Sequence, residues 1–148
     1  MSEHHTRIAW QHSAGSFADK SFSRDHRWHF KGGQSLLASS APGFQGNADA
    51  VDPEDAFTAS LAACHMLTFL AIAAVKGYEV ASYQDEAIGT LDKNAEGRMA
   101  MTRVLLRPRV VFNGRQPSAE ELQGLHERAH KACFIGQSIK SEVVIEAQ

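Results

Sequence analysis

The amino-acid sequence predicts a single α+β domain, because strand-like and helix-like segments are segregated along the chain and do not alternate regularly. Three short strand-like segments come first, and a long uncharged helix occupies the middle of the chain. Two strands, a second helix and a last strand follow. The 148 residues are enough to bury a hydrophobic core without disulfide bonds. No repeat or linker divides them, so we expect one domain over residues 1–148.

The N-terminal third predicts short strands and a loop. Residues of β-compatible alternation occur at Arg7–Trp10 and at His26–Phe30, and Lys31–Gly33 predicts a turn into a further short strand. The stretch Ser39–Asp52 is rich in Gly, Ser and Ala and predicts a loop. We therefore expect a small sheet that precedes the first helix.

The central helix has clear start and stop signals. Asp52 is a suitable N-cap, Pro53 suits the first helical position, and the acidic residues that follow favour the positive end of the helix dipole. Gly77 predicts the end of the helix after about Lys76. The helix is therefore expected to span more than twenty residues.

The segment Ala56–Val75 carries no formal charge and is long enough to cross a bilayer. It lacks an aromatic belt and a basic flank, however, and small and polar residues occur along its length. These features favour the central helix of a soluble core over a membrane span.

The second half of the chain predicts two strands, a helix and a last strand. Tyr78–Thr90 and Arg98–Phe112 have strand-type alternation, with a bulge expected in the second and a strand end or edge at Pro108. Ser118 predicts the cap of the second helix, and Lys140–Ala147 a final strand. The expected apolar stripe of this helix consists of Leu122, Leu125, Ala129 and Ala132.

Composition excludes several classes of function. The net charge is −2 and no basic cluster is present, so the sequence does not favour nucleic-acid binding. The N-terminus shows no signal-peptide pattern, which predicts a cytoplasmic protein. In a reducing compartment two cysteines are more often catalytic, redox-active or metal-binding than a structural disulfide.

The two cysteines allow three interpretations. Cys64 and Cys133 can be inert buried residues, redox-active thiols, or zinc ligands together with His65 and His130. Neighbouring residues on a helix point about 100° apart, so Cys64 and His65 are a poor pair of ligands for one ion. His126 and the N-terminal histidines are expected to be solvated, and His26 and His29, three positions apart in a strand, face opposite sides and make a poor ligand pair.

Three motifs resemble the OsmC/Ohr family of thiol-dependent peroxidases. The first is Asp52-Pro53-Glu54 followed after nine residues by Cys64, and the second is Ala129-His130-Lys131-Ala132-Cys133. The third, Arg24-Asp25-His26-Arg27, is similar to the Arg-Asp-Gly-Arg stretch of the family. Together the motifs extend the resemblance over essentially the whole chain.

The resemblance implies an OsmC-like fold, in which antiparallel sheets wrap long central helices in an intertwined homodimer. It implies a cofactor-free and metal-free peroxidase acting in oxidative-stress defence on organic hydroperoxides or hydrogen peroxide. Cys64 would attack the peroxide, Cys133 would resolve the sulfenic acid, and an external thiol or dithiol would reduce the resulting disulfide. Arg24, or Arg27 in its place, would activate Cys64, and Glu54 would hold that arginine.

Chemistry is consistent with these implied roles. Only a thiolate attacks an O–O bond, and a guanidinium keeps its charge when it is partly buried next to one. A bidentate carboxylate such as Glu54 would fix the guanidinium in place. Phe134 follows Cys133 where the Ohr branch commonly has proline, and His65 after Cys64 is also unusual there. These departures indicate the OsmC-like branch.

A second class of function competes with the peroxidase. A dimeric protein with apolar central helices can bind a hydrophobic small molecule between them, with the cysteines inert. Formation of a Cys64–Cys133 disulfide by one equivalent of peroxide distinguishes the two functions. A zinc-binding domain would instead contain metal in elemental analysis.

Overall fold

A computed structural model describes all residues from 1 to 148. Its backbone contacts divide the chain into two compact units, residues 1–56 and 57–148. The N-terminal unit contains three strands: β1 (Arg7–Ala9), β2 (His26–His29) and β3 (Ser35–Ala38). The three strands lie where the sequence predicts strands, and they form one antiparallel sheet in the order β1-β2-β3.

Helix α1 (Pro53–Val75) begins and ends where its caps predict. The Asp52 carboxylate accepts a hydrogen bond from the Asp55 backbone N–H at 2.8 Å. At the other end Gly77 has φ 78°, and the Tyr78 N–H donates to the Ala73 carbonyl across it. This left-handed turn satisfies carbonyls that the helix end would otherwise leave unpaired.

Only one stripe of α1 is buried in the chain. It consists of Leu61, His65, Phe69 and Ala73, which are spaced by four residues. Other apolar positions of the helix are open to solvent, and Leu67 and Val75 are 61% and 87% exposed. Helix α1 is also the one helix that is long and apolar enough to span a membrane. Core helices of soluble proteins can have the same length and composition, so these two properties alone are weak evidence for a membrane span.

The two long strands predicted after α1 are each divided in two. Strands β4 (Glu79–Asp85) and β5 (Ile88–Lys93) replace the predicted Tyr78–Thr90, and β6 (Met99–Leu106) and β7 (Pro108–Asn113) replace Arg98–Phe112. The prediction of one continuous strand over Tyr78–Thr90 is therefore wrong. In the second segment Pro108 begins a strand, which confirms the break expected there.

The physical reason for the division is a change of sheet. Strand β4 pairs with β7 in one sheet, whereas β5 pairs with β6 in another. At the break the Arg107 N–H has left the ladder, and the Asp85 carboxylate accepts its hydrogen bond at 2.7 Å. The predicted bulge is present at Thr102, where the register between β5 and β6 shifts by one residue.

The C-terminal elements are α2 (Ala119–Ala132), the five-residue α3 (Phe134–Ser138) and β8 (Glu142–Ile145). Ser118 caps α2 as predicted, in a capping box with Glu121. Strand β8 pairs with β6 in parallel, which departs from the antiparallel pattern expected throughout. The helical connection through α2 and α3 permits this parallel pairing.

The C-terminal unit contains two hydrophobic clusters, and α1 contributes to both. The thiol cluster contains Leu61, Val104, Leu106 and Cys133, with Cys64 packed against it. The aromatic cluster contains Phe69, Ala73, Tyr78, Phe112, Leu125 and Ala129. The buried stripe of α1 therefore meets the thiol cluster at Leu61 and the aromatic cluster at Phe69 and Ala73.

Candidate active site

Cys64 lies near the middle of α1, on the side that packs against the thiol cluster. Its side chain is half-buried and free of any disulfide. The Cys64 carbonyl accepts a hydrogen bond from the Thr68 hydroxyl at 2.8 Å in addition to its place in the helix. The residue is thus held on a rigid element while its thiol keeps partial access to solvent.

Cys133 lies at the junction of α2 and α3, where it ends one helix and caps the next. Its side chain is 1% exposed, and the Gly136 N–H donates to its sulfur at 3.3 Å. Burial, followed by a hydrogen bond with the Cys64 thiol, raises the pKa of Cys133 to about 11. Cys133 is therefore a protonated thiol at neutral pH.

The structure thus brings the two sequence-predicted cysteines together. They share the thiol cluster, the Cys64 thiol contributes to the raised pKa of Cys133, and both are free thiols. Because they are 69 positions apart in the chain, their contact depends on the packing of α1 against the α2–α3 junction. Two adjacent thiols of unequal surroundings can form a disulfide when one of them is oxidised.

Arg24 belongs to the N-terminal unit, in the segment before β2. Its guanidinium lies 4.0 Å from the centre of the Phe22 ring and donates a hydrogen bond to the Phe22 carbonyl. Arg24 is half-buried, whereas Arg27 is exposed on β2 and donates to the Ser35 hydroxyl at 3.1 Å. Arg24 therefore has the more enclosed cation of the two candidates.

Glu54 lies in the first turn of α1, also in the N-terminal unit, and is half-buried. The residue is not without an interaction partner. It is ten positions before Cys64 on this helix, which corresponds to about 15 Å along the axis. The roles of Arg24 and Glu54 at the cysteines remain predictions.

Comparison with known proteins identifies the family. A family model described as OsmC-like protein matches residues 46–148. An OsmC-like protein of unknown function from Vibrio cholerae is 44% identical, with 100% of both chains covered and a TM-score of 0.96. The chain belongs to the OsmC-like family. No curated protein matches it.

More distant structures share the OsmC-like fold. An organic hydroperoxide resistance protein from Elizabethkingia anophelis has a TM-score of 0.74 at 16% identity, covering 99% of this chain and 94% of that one. The organic hydroperoxide resistance protein OhrB of Bacillus subtilis has a TM-score of 0.68 at 18% identity, with 97% and 98% covered. At these identities the likeness establishes the fold alone.

The family assignment confirms the predicted α+β, OsmC-like fold. The region matched by the family model includes Glu54, Cys64 and Cys133, whereas Arg24 lies before it. The structure contains no cluster of three or more His, Cys, Asp or Glu side chains arranged to hold a metal ion.

This OsmC-like protein contains a buried pair of histidines, His65 and His126, that the sequence pattern did not indicate. His126 was expected to be solvated, and that prediction is wrong, because His126 is 3% and His65 only 1% exposed. The Nε2 atom of His65 lies 3.1 Å from the Nδ1 atom of His126. Burial lowers the pKa of each to about 4, and for His65 the nearby His126 and His130 add to the effect.

A signal for His126 was present in the helical spacing. The predicted stripe of α2 ran through Leu125, Ala129 and Ala132, but Ala132 is exposed. The buried face instead includes Leu125, His126 and Ala129 and continues to Cys133. A histidine four residues after Leu122 lies on that face.

Proposed function

We propose that this OsmC-like protein is a cysteine-based peroxidase that reduces hydroperoxides in oxidative-stress defence. The observation that carries the proposal is the proximity of two free thiols, Cys64 and Cys133, at the thiol cluster of the C-terminal unit. The fold is shared with proteins named for organic hydroperoxide resistance, which supports a peroxide substrate. Free cysteines suit a reducing compartment such as the cytoplasm.

In the proposed reaction Cys64 is the nucleophile. Its thiolate attacks one peroxide oxygen, so that an S–O bond forms and the O–O bond breaks. The leaving alkoxide takes up a proton and departs as an alcohol, or as water from hydrogen peroxide. Cys133 suits the resolving role, because its raised pKa keeps it protonated and unreactive toward peroxide.

Resolution forms the disulfide. The Cys133 sulfur attacks the Cys64 sulfenic acid, an S–S bond forms, and water leaves with the proton of the thiol. This step removes the sulfenic acid before a second peroxide oxidises it irreversibly. An external thiol or dithiol then reduces the disulfide and returns both cysteines to the starting state.

Arg24 and Glu54 complete the proposed site. Arg24 would stabilise the Cys64 thiolate and the departing alkoxide, and its partial burial and contact with Phe22 support a fixed cation. Glu54 would position the guanidinium through charge-assisted hydrogen bonds. Glu54 is therefore proposed as a positioning residue.

A homodimer would assemble these groups. The exposed apolar positions of α1, such as Leu67 and Val75, indicate a surface that a second copy covers. Within one straight helix Glu54 and Cys64 are about 15 Å apart along the axis. Two antiparallel α1 helices would instead bring Glu54 of the partner subunit toward Cys64.

The experiment that tests the function is peroxide consumption with cumene hydroperoxide or hydrogen peroxide and a dithiol reductant. Cys64→Ser is expected to abolish turnover. Cys133→Ser is expected to complete one round and then to accumulate Cys64 sulfinic acid. Normal turnover by Cys64→Ser would refute the assignment and favour a binding protein with inert cysteines.

Shared sites are tested by mixing two inactive variants. A Cys64→Ser chain and a Glu54→Ala chain together regain one site with both residues intact if each site takes Glu54 from the partner subunit. Mass spectrometry of the intact dimers confirms subunit exchange. Activity no higher than that of the separate variants, with exchange confirmed, would mean that each chain carries its own site.

A further inference from the structure

Three aromatic side chains of the N-terminal unit, Trp10, Phe17 and Phe22, form a cluster beside Arg24 that we call the aromatic platform. Phe17 and Phe22 stack, with ring centres 4.3 Å apart and planes 10° apart. The Trp10 ring is nearly perpendicular to both, with its centre 5.8 Å from that of Phe17 and 6.2 Å from that of Phe22. Aromatic rings prefer these stacked and edge-to-face arrangements. The platform is therefore well packed, although it belongs to neither hydrophobic cluster.

The Phe22 ring lies between the Phe17 ring and the Arg24 guanidinium. The guanidinium carbon is 4.0 Å from the centre of the Phe22 ring, and the Phe17 ring centre is 4.3 Å from it. Both groups are at contact distance from the same ring centre, so they occupy opposite faces of the ring. The guanidinium also donates a hydrogen bond to the Phe22 carbonyl. Two contacts with a single residue therefore fix the charge of Arg24.

The backbone around Arg24 is held by side chains from two directions. Trp10 Nε1 donates to the Ser23 carbonyl at 2.9 Å, and His26 Nδ1 donates to the Arg24 carbonyl at 2.8 Å. The other ring nitrogen of His26 accepts from Trp28 Nε1 at 2.7 Å, so the His26 proton lies on Nδ1. A fixed backbone alone does not place a guanidinium, because the arginine side chain has many rotamers. The contacts with Phe22 supply that last constraint.

We propose that Phe22 is a positioning residue for Arg24, and that its ring and carbonyl order the guanidinium before peroxide binds. The inference rests on the proposed peroxidase function, in which Arg24 activates Cys64. A guanidinium is attracted to the negative face of an aromatic ring, and in stacking on it keeps N–H donors free for a thiolate or an alkoxide. A cation that is already fixed needs no reordering during the reaction, which makes its stabilisation of developing charge more effective.

Three variants test the need for the ring through the rate at which one equivalent of cumene hydroperoxide oxidises Cys64. Phe22→Leu keeps an apolar side chain and the backbone carbonyl but removes the ring, and it is expected to slow the reaction about three- to tenfold. Phe22→Tyr keeps the ring and is expected to react at the rate of the unaltered protein. Phe30→Leu makes the same exchange at a ring of this unit that is 40% exposed, and should also leave the rate unchanged.

A double-mutant cycle separates positioning from general support of the fold. Arg24→Ala and the double variant Arg24→Ala/Phe22→Leu are expected to react at the same rate, because the ring acts only through the guanidinium. Equal slowing by Phe22→Leu with and without Arg24 would overturn the proposal. A normal rate in Phe22→Leu beside a slow Arg24→Ala would overturn it and leave the peroxidase function intact. No reaction of the unaltered protein with peroxide would instead refute the function, and the role of Phe22 with it.

The ¹H–¹⁵N spectrum of the arginine Nε–H groups reports the position of the guanidinium without any peroxide. The Arg24 signal is expected upfield of that of the exposed Arg27, because the Arg24 guanidinium lies over the face of the Phe22 ring. Phe22→Leu should remove this displacement, and Phe22→Tyr should keep it. An Arg24 signal without upfield displacement in the unaltered protein would overturn the proposal, even if Phe22→Leu does not fold.

Discussion

Two adjacent residues of α1, Cys64 and His65, serve two different regions of the same unit. Cys64 is half-buried and packs in the thiol cluster beside Cys133. His65 is fully buried and faces the aromatic side of the unit, where it meets His126. A step of one residue turns the side chain by about 100°, which is enough to separate the two environments.

The difference shows how one helix holds a partly exposed thiol next to a fully buried imidazole. In the thiol region Cys64 is partly exposed to solvent, and burial keeps Cys133 protonated. In the histidine region burial keeps both imidazoles neutral, so neither is a charged partner for a thiolate. A peroxidase that relies on this arrangement needs its cation from elsewhere in the molecule, and Arg24 is the proposed source.

The largest expected effect concerns that cation. Arg24→Ala should slow the reaction of Cys64 with peroxide by about tenfold or more, because both the thiolate and the departing alkoxide lose their charge partner. Stopped-flow measurement of a single peroxide oxidation reports the rate directly. The matched control is Arg27→Ala, which removes an exposed guanidinium.

The outcome separates the two arginines. If Arg24→Ala reacts at the normal rate and Arg27→Ala is slow, the role passes to Arg27. If both react normally, no arginine of this segment activates Cys64. Circular dichroism of each variant checks that the fold is kept.

The second prediction concerns the histidine region and acid stability. The folded pKa values of His65 and His126, about 4, lie below the ordinary 6.5, so between these values the unfolded chain binds more protons. The free energy of unfolding should therefore be retained above pH 6.5 and fall as the pH drops toward 4. Each histidine contributes up to about 1.4 kcal/mol per pH unit in this window.

Urea unfolding at a series of pH values measures this slope. His126→Phe should reduce it, whereas His5→Gln, which alters an exposed histidine, should not. An equal slope in His126→Phe and in the unaltered protein would show that other groups cause the acid sensitivity.

The smallest expected effect reaches both regions through α2. Ser118 caps this helix, which carries His126 and leads into Cys133. Ser118→Ala should lower the free energy of unfolding by about 1 kcal/mol, because a capping hydrogen bond to the Glu121 N–H is lost. Urea unfolding at pH 7 tests this, with Ser2→Ala as the exposed control, and a change equal to that of the control would contradict it.

Features with local causes could be predicted from the sequence. Asp52, Gly77 and Ser118 end or begin helices through contacts within a few residues, and all three are confirmed. The two cysteines were recognised because their motifs resemble a family, and in the structure both lie at the thiol cluster. Such features need no knowledge of distant parts of the chain.

Features that depend on distant partners could not be predicted. The break before β5 arises because β4 and β5 join different sheets, which strand alternation alone does not reveal. The burial of His126 depends on a partner 61 residues away on α1. A polar residue on an otherwise apolar face is predicted as exposed unless its partner is known.

The most direct test of the proposed peroxidase is peptide mapping by mass spectrometry after one equivalent of cumene hydroperoxide is added to the reduced protein. The proposed mechanism predicts a disulfide between Cys64 and Cys133, one alcohol formed per disulfide, and both cysteines recovered as thiols after treatment with a dithiol. Both cysteines still present as free thiols, with the peroxide unconsumed, would contradict it.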